Sequence, residues 1–258
     1  MNLIRKIKDR FKPVYYWFFF RYFHLLEILF PSKIKDPKKI PIIINSYNRL
    51  TCLQRLISAL EQRGYSNIWI IDNASTYPPL LKFYDHCPYH VFRLKKNTGH
   101  LALWKTPVYR KFINDFYAYT DSDVVPSDQC PDDFMSVFLD TLKQYKFAKK
   151  AGFSLRIDNL PDHFEKKKEV MQWEKQYFEK RVSSLLYRAP IDTTFALYRP
   201  RAKGGSNAYI PMYRTASPYE AEHIPWYADS KNLTPEDLYY IKSSSTSTMW
   251  TVLNKELA

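Results

Sequence analysis

Four short apolar runs in the first half of the chain each break off into a polar cluster, and this repeat limits the fold more than any other feature. Residues 40–44 lead into Asn45-Ser46-Tyr47-Asn48-Arg49, and 67–71 into Asp72-Asn73-Ala74-Ser75. Residues 90–94 lead into Lys96-Asn97-Thr98-Gly99-His100, and 116–120 into Asp121-Ser122-Asp123. The runs are β-branched and aromatic and too short for helices, so each reads as a strand. Between the first two, Thr51 is placed to cap a helix through about Arg63, with Leu53, Leu56, Ile57 and Leu60 on one face. Strands alternating with helices favour right-handed βαβ units, hence an α/β fold with a mostly parallel sheet flanked by helices. In such sheets ligands bind outside the carboxyl ends of the strands. The four polar clusters are expected to meet along one rim.

The cluster with the sharpest chemistry is Asp121-Ser122-Asp123. Sixteen Asp in 258 residues give roughly one Asp-x-Asp by chance, so the spacing alone proves little. Its position at a strand tip beside three other polar ends is what raises it. Two carboxylates there can hold a divalent cation through oxygen. The alternative is a capped turn before the helix near Asp132. Only five glycines are present and no G-x-G-x-x-G, which argues against a glycine-rich dinucleotide turn.

The segments IPIIINSYNRLTCLQRLISAL, IWIIDNAST, NTGHLALWK and YTDSDVVP, in that order and spacing, resemble the nucleotide-sugar-binding half of a family 2 glycosyltransferase with the GT-A fold. The likeness is good over residues 40–127 and looser to about 240. It implies a GT-A-like, Rossmann-like domain over 40–240, with 40–127 binding the donor and 128–240 the acceptor. By this resemblance, Tyr47 and Arg49 line the nucleotide pocket, and Asp72 accepts a hydrogen bond from a base N–H with Asn73 beside it. Asn97, Gly99 and His100 let backbone approach the nucleotide or sugar. The plainer readings are a packed aromatic for Tyr47, turn formers for Asn73 and Asn97, and a left-handed glycine for Gly99.

The same resemblance supplies expectations for the second half. Asp192, between apolar runs, is the expected base that deprotonates the acceptor. His223 is expected to join Asp121 and Asp123 as a metal ligand for Mn2+ or Mg2+, and an imidazole beside carboxylates suits Mn2+ better than a purely oxygen-liganded ion. Glu220 and Glu222 are alternative bases. Asp192 as a turn former and His223 as a core histidine are the structural alternatives. Residues 199–209 are basic, carry the one Gly-Gly pair and suit a loop closing over diphosphate or acceptor. Arg214 is a candidate phosphate clamp. Residues 164–181 read as a solvated helix face, and Asp237 as the start of a short helix.

Charge and aromatics concentrate at the beginning. The chain carries 39 Lys and Arg against 26 Asp and Glu, a net charge of +13, and ten basic residues against three acidic ones fall in residues 1–39. That segment reads as a basic amphipathic helix and linker, kinked at Pro13, too often interrupted by charge to span a bilayer. Residues 1–35 are expected to lie on a membrane surface; a helix packed on the domain or a second subunit is the alternative. Residues 241–258 read as a Ser/Thr-rich linker and tail. Three cysteines without metal spacing read as reduced thiols, and no secretory signal is evident.

Together these imply an inverting, metal-dependent glycosyltransferase using a nucleoside diphosphate sugar donor and a saccharide or lipid-linked acceptor. Its expected place is cytoplasmic, peripheral at the inner face of the cell membrane, in polysaccharide assembly. Two other classes stand beside it. A nucleotidyltransferase usually needs a glycine-rich loop after its first strand, which NSYNRLT lacks. A basic nucleic-acid-binding module leaves strand-tip carboxylates unexplained, so no nucleic-acid partner is expected.

Overall fold

The computed structural model describes residues 24–191, 194–205 and 210–244, together with Val14, Trp17, Phe18, Arg21 and Tyr22. The first half builds β1 Ile42–Ser46, α1 Leu50–Gln62, β2 Ile68–Asp72, α2 Pro78–Tyr84, β3 His90–Arg93, α3 Ala102–Lys105, α4 Tyr109–Phe112 and β4 Tyr117–Asp121. The second half adds β5 Val124–Pro126, α5 Phe134–Gln144, β6 Lys150–Gly152, β7 Ser154–Leu155, α6 Lys167–Lys175, β8 Arg181–Ser183 and β9 Leu186–Arg188. The last elements are β10 Ala196–Tyr198, β11 Met212–Thr215, β12 Glu220–His223 and α7 Pro235–Ser243.

Nine strands form one sheet in the order β3-β2-β1-β4-β10-β6-β11-β9-β8, and β5-β12-β7 form a second, smaller one. The first half is parallel as expected: β1 pairs in parallel with β2 and β4, and β2 with β3. The sheet as a whole is mixed, which corrects the expectation of a mostly parallel one. The strand β10 lies antiparallel to both β4 and β6, and β9 is antiparallel to β11 and β8. Of these antiparallel pairs only β8–β9 is a short hairpin; β10 returns from a distant part of the chain to insert between β4 and β6, so its direction is not tied to a helical crossover. Gly152 sits where β6 and β10 run closest; a Cβ there would overlap the Phe195 carbonyl and Ala196.

Side-chain alternation sorts the core into two layers. Ile42, Ile44, Ile68, Ile70 and Ala118 face α1, α2 and α5, where Leu53, Leu56, Leu60, Leu80, Phe134 and Phe138 meet them. Ile43, Ile71, Tyr117, Tyr119 and Tyr198 face the other way, onto α3 and α4. The tyrosines of that layer keep their hydroxyls bonded. Tyr117 and Tyr109 donate to the Ala202 carbonyl and Tyr119 to that of His100, which fastens two loops to the sheet.

The α1 helix begins two residues earlier than expected. Arg49, not Thr51, is in the capping position, and it makes no capping bond. Thr51 lies in the first turn instead. Among the described residues no helix is long and apolar enough to cross a membrane.

Candidate functional site

The carboxyl ends of β1, β2 and β4 form the rim that the sequence points to. Asp72 and Asp121 are the last residues of their strands. Asn45 donates from Nδ2 to Asp121 Oδ1 at 3.0 Å, and its carbonyl accepts from the Ser122 N–H at 3.0 Å. Asp123 falls between β4 and β5. Because β5 pairs antiparallel with β12, Val124 stands opposite His223, and the Ile224 N–H bonds the Asp123 carbonyl at 2.9 Å. This pairing carries His223 Nε2 to 3.6 Å from Asp123 Oδ2.

Burial works against a charge on Asp123, but the neighbouring His223 ring and the Arg49 guanidinium outweigh it and hold the carboxyl below its usual range. Arg49 is itself buried, 3.5 Å from Asp237 and stacked over the Tyr240 ring at 3.9 Å. Burial pushes the Tyr240 hydroxyl up to about 12; Arg49 opposes the shift, and Asp123 and Asp121 add to it. Among the described residues, His223 Nδ1 and Arg49 Nε are buried without a hydrogen-bond partner.

The donor set fits a divalent cation only in part. An ionised carboxylate beside an imidazole is suitable chemistry. Yet among the described residues no three His, Cys, Asp or Glu side chains are gathered closely enough to hold an ion alone. A cation here needs oxygens from the ligand or water to complete its shell.

The remaining first-half candidates line the same rim. Tyr47 donates its hydroxyl to the Ser243 carbonyl at 2.8 Å. Asp72 is buried; Oδ1 accepts from the Ser75 N–H at 3.1 Å and Oδ2 lies 3.6 Å from Arg93 Nε. Asn73 clasps the loop after β3: Oδ1 accepts from the Thr98 N–H at 2.8 Å, and Nδ2 donates to the Gly99 carbonyl at 3.0 Å. Asn97 turns that loop by accepting from the Gly99 N–H at 2.8 Å. Gly99 has φ +78° with open space where a Cβ would stand, and the His100 side chain is exposed.

The second half departs from expectation at Arg214 and along residues 164–181. Asp192 lies outside the described residues, as does the 206–209 part of the basic loop. Lys149 donates to the Gly204 and Gly205 carbonyls at 3.0 and 2.8 Å, tying the described part of that loop to β6. Arg214 is no free clamp: it is buried, 2.8 Å from Glu174 Oε2, with Nε donating to the Pro190 carbonyl at 2.8 Å. Residues 164–181 are thus not simply a solvated face, since Val170 and Glu174 are buried. Burial pushes the Glu174 carboxyl up, with Arg214 and then His223 opposing. Glu222 reaches Arg55 at 3.1 Å, and burial raises the Glu220 carboxyl. Sequence reasoning missed Glu174, Glu236 and Tyr240; the Thr234-x-x-Asp237 spacing that starts α7 was its one readable signal there.

No family model matches the sequence, and no curated protein matches it. Among solved structures, S. aureus TarS 1-349 is similar at a TM-score of 0.42 and 12% identity, over 72% of this chain and 60% of that one. A second is glucosyl-3-phosphoglycerate synthase from Mycobacterium tuberculosis in complex with phosphoglyceric acid. It is similar at a TM-score of 0.40 and 11% identity, over 63% of this chain and 57% of the other. The chain therefore spans less than two thirds of the length of either structure. The chemistry of the rim is read from its own geometry.

Proposed function

We propose that this chain transfers a sugar from a nucleoside diphosphate sugar to a hydroxyl of a saccharide or lipid-linked acceptor, with inversion at the anomeric carbon. The supporting observation is the contact of Asp123 with His223, beside the buried cation of Arg49 and with Asp121 two residues away at the tip of β4, on the carboxyl rim of a parallel β1–β2–β4 unit. Carboxylates there repel a diphosphate unless positive charge intervenes. Asp123 and His223, with Asp121 directly or through water, would hold Mn2+ or Mg2+. When bound, the cation supplies charge that neutralises the departing diphosphate. Arg49 adds a second positive charge, Tyr47 an aromatic face for the base, and Asp72 an acceptor for a base N–H. Asp192 would take the acceptor hydroxyl proton as that oxygen bonds to the anomeric carbon and the carbon–diphosphate bond breaks on the opposite face.

The test is a thermal-shift screen of UDP-, GDP- and dTDP-sugars with and without Mn2+. One nucleotide class is expected to raise the melting temperature in the presence of the metal. No shift with any of them overturns the reading. Asp192→Ala should keep the shift and lose transfer.

The acceptor side of the proposal includes an anionic lipid surface, with the enzyme peripheral on the cytoplasmic leaflet. Around residues 17–30, Trp17, Phe18, Tyr22, Leu25, Ile28, Leu29 and Phe30 are each more than half exposed. The inward face is polar: Glu27 meets Arg199 at 2.6 Å, and His24 stands edge-on to Phe147. An apolar stripe turned outward beside basic residues suits headgroups and acyl chains. Removing residues 1–35, or the gentler triple change Leu25→Ser, Ile28→Ser and Leu29→Ser, should abolish co-flotation with phosphatidylglycerol liposomes. Unchanged flotation removes the membrane from the proposal.

A further inference from the structure

We infer that α7 closes the donor cleft by standing in for the anionic groups of the donor, and that a nucleoside diphosphate binds by displacing it. The inference rests on the donor reading above, and its test is chosen to separate the two.

The loops after β1 and β2 both have partners in α7. The Tyr47 hydroxyl donates to the Ser243 carbonyl, and Asn48 Nδ2 to Ser243 Oγ at 2.8 Å. On the β2 side, the Tyr239 hydroxyl donates to the Thr76 carbonyl at 2.9 Å, and its ring lies 4.9 Å from that of Tyr77. The helix thus bridges the loops after β1 and β2, the two walls between which a nucleotide would enter.

The acidic first turn of α7 sits against two positive groups of that cleft. One is the N-terminus of α1, whose capping residue Arg49 makes no side-chain capping bond. Glu236 supplies the missing anion, accepting from the Thr51 N–H at 3.1 and 3.2 Å and from the Thr51 hydroxyl at 3.1 Å. An uncapped helix N-terminus is a ready anion site. The other is the Arg49 guanidinium, buried, with Nε unpartnered, and faced by Asp237. A diphosphate entering here meets the same two positive groups, and its charge repels Glu236 and Asp237.

The helix is built to leave intact. Asp237 and Thr234 form a capping box within α7, so the turn stays ordered by itself. Ile241 is its one buried residue, so its docking depends on polar and ring contacts that water can replace.

The experiment measures binding of UDP, GDP and dTDP, each with Mn2+, by calorimetry to the native chain, Glu236→Gln and Tyr239→Phe. Both changes loosen α7 and leave Asp121, Asp123 and His223 untouched. Each is expected to tighten nucleotide binding about threefold to tenfold, because less of the chain is held in the closed form. Saturating nucleotide should also speed amide hydrogen exchange across residues 235–243 in the native chain. Unchanged or weakened binding in both variants, or slower exchange, makes α7 a fixed wall of the site and overturns the inference while the donor reading stands. No binding to any of the three chains overturns the donor reading, and this inference with it.

Discussion

Asp123→Ala is expected to abolish metal-dependent donor binding and to lower sugar transfer about a hundredfold to a thousandfold, the usual cost of losing one electrostatic stabiliser of a leaving group. The side chain stands 3.6 Å from His223 and is held ionised by that ring and by Arg49, against its own burial. Removing it takes away the one carboxylate that, among the described residues, contacts an imidazole on this rim. The backbone of Asp123 carries the strand geometry through its carbonyl bond to Ile224, and alanine preserves that bond. The variant should therefore melt within a few degrees of the native chain while losing its Mn2+-dependent thermal shift. Asp123→Asn keeps the shape and removes the charge, and should fail in the same way. Full transfer activity in either variant would remove Asp123 from the mechanism.

The largest effect on stability is expected at Glu174 and Arg214. The pair is buried at 3% and 6% side-chain exposure for Arg214 and Glu174, with a 2.8 Å contact. Arg214 also lies over the Tyr177 ring at 4.0 Å and bonds the Pro190 carbonyl. Glu174→Ala leaves a guanidinium buried without its counter-charge, which costs about 3–5 kcal/mol. For a chain of this size that is a fall of about 10 °C in melting temperature. The double change Glu174→Leu with Arg214→Leu removes both charges and should recover much of the loss. Thermal melts of the two variants check this; a Glu174→Ala melt within 2 °C or so of the native one would show the pair to be solvated.

The two predictions differ in how far the sequence reaches. Asp123 was legible because a strand-like run ends on it and three similar runs end in polar clusters. Glu174 was not, because a glutamate among lysines on a helical stretch is ordinarily solvated. Its burial depends on Arg214, forty residues on, reaching it from β11. Arg214 shows the same gap from the other side, a candidate clamp that is already neutralised. The position of His223 was anticipated only by analogy; the contact with Asp123 comes from the β5–β12 register. The role of α7 was hidden because Asp237 reads from sequence as a local cap, which it is, while its second oxygen faces Arg49.

By itself the sequence determined the four parallel strands of the first half, the apolar face of α1 and the gathering of polar residues at the strand ends. All of these follow from periodicities of two and 3.6 residues and from local turn chemistry. Tertiary structure alone decided the antiparallel placement of β10, the burial of the Glu174–Arg214 pair and the docking of α7 across the rim. Strand direction, charge pairing and helix docking join segments far apart in the chain, and a local pattern carries no record of which distant partner removes a group from water.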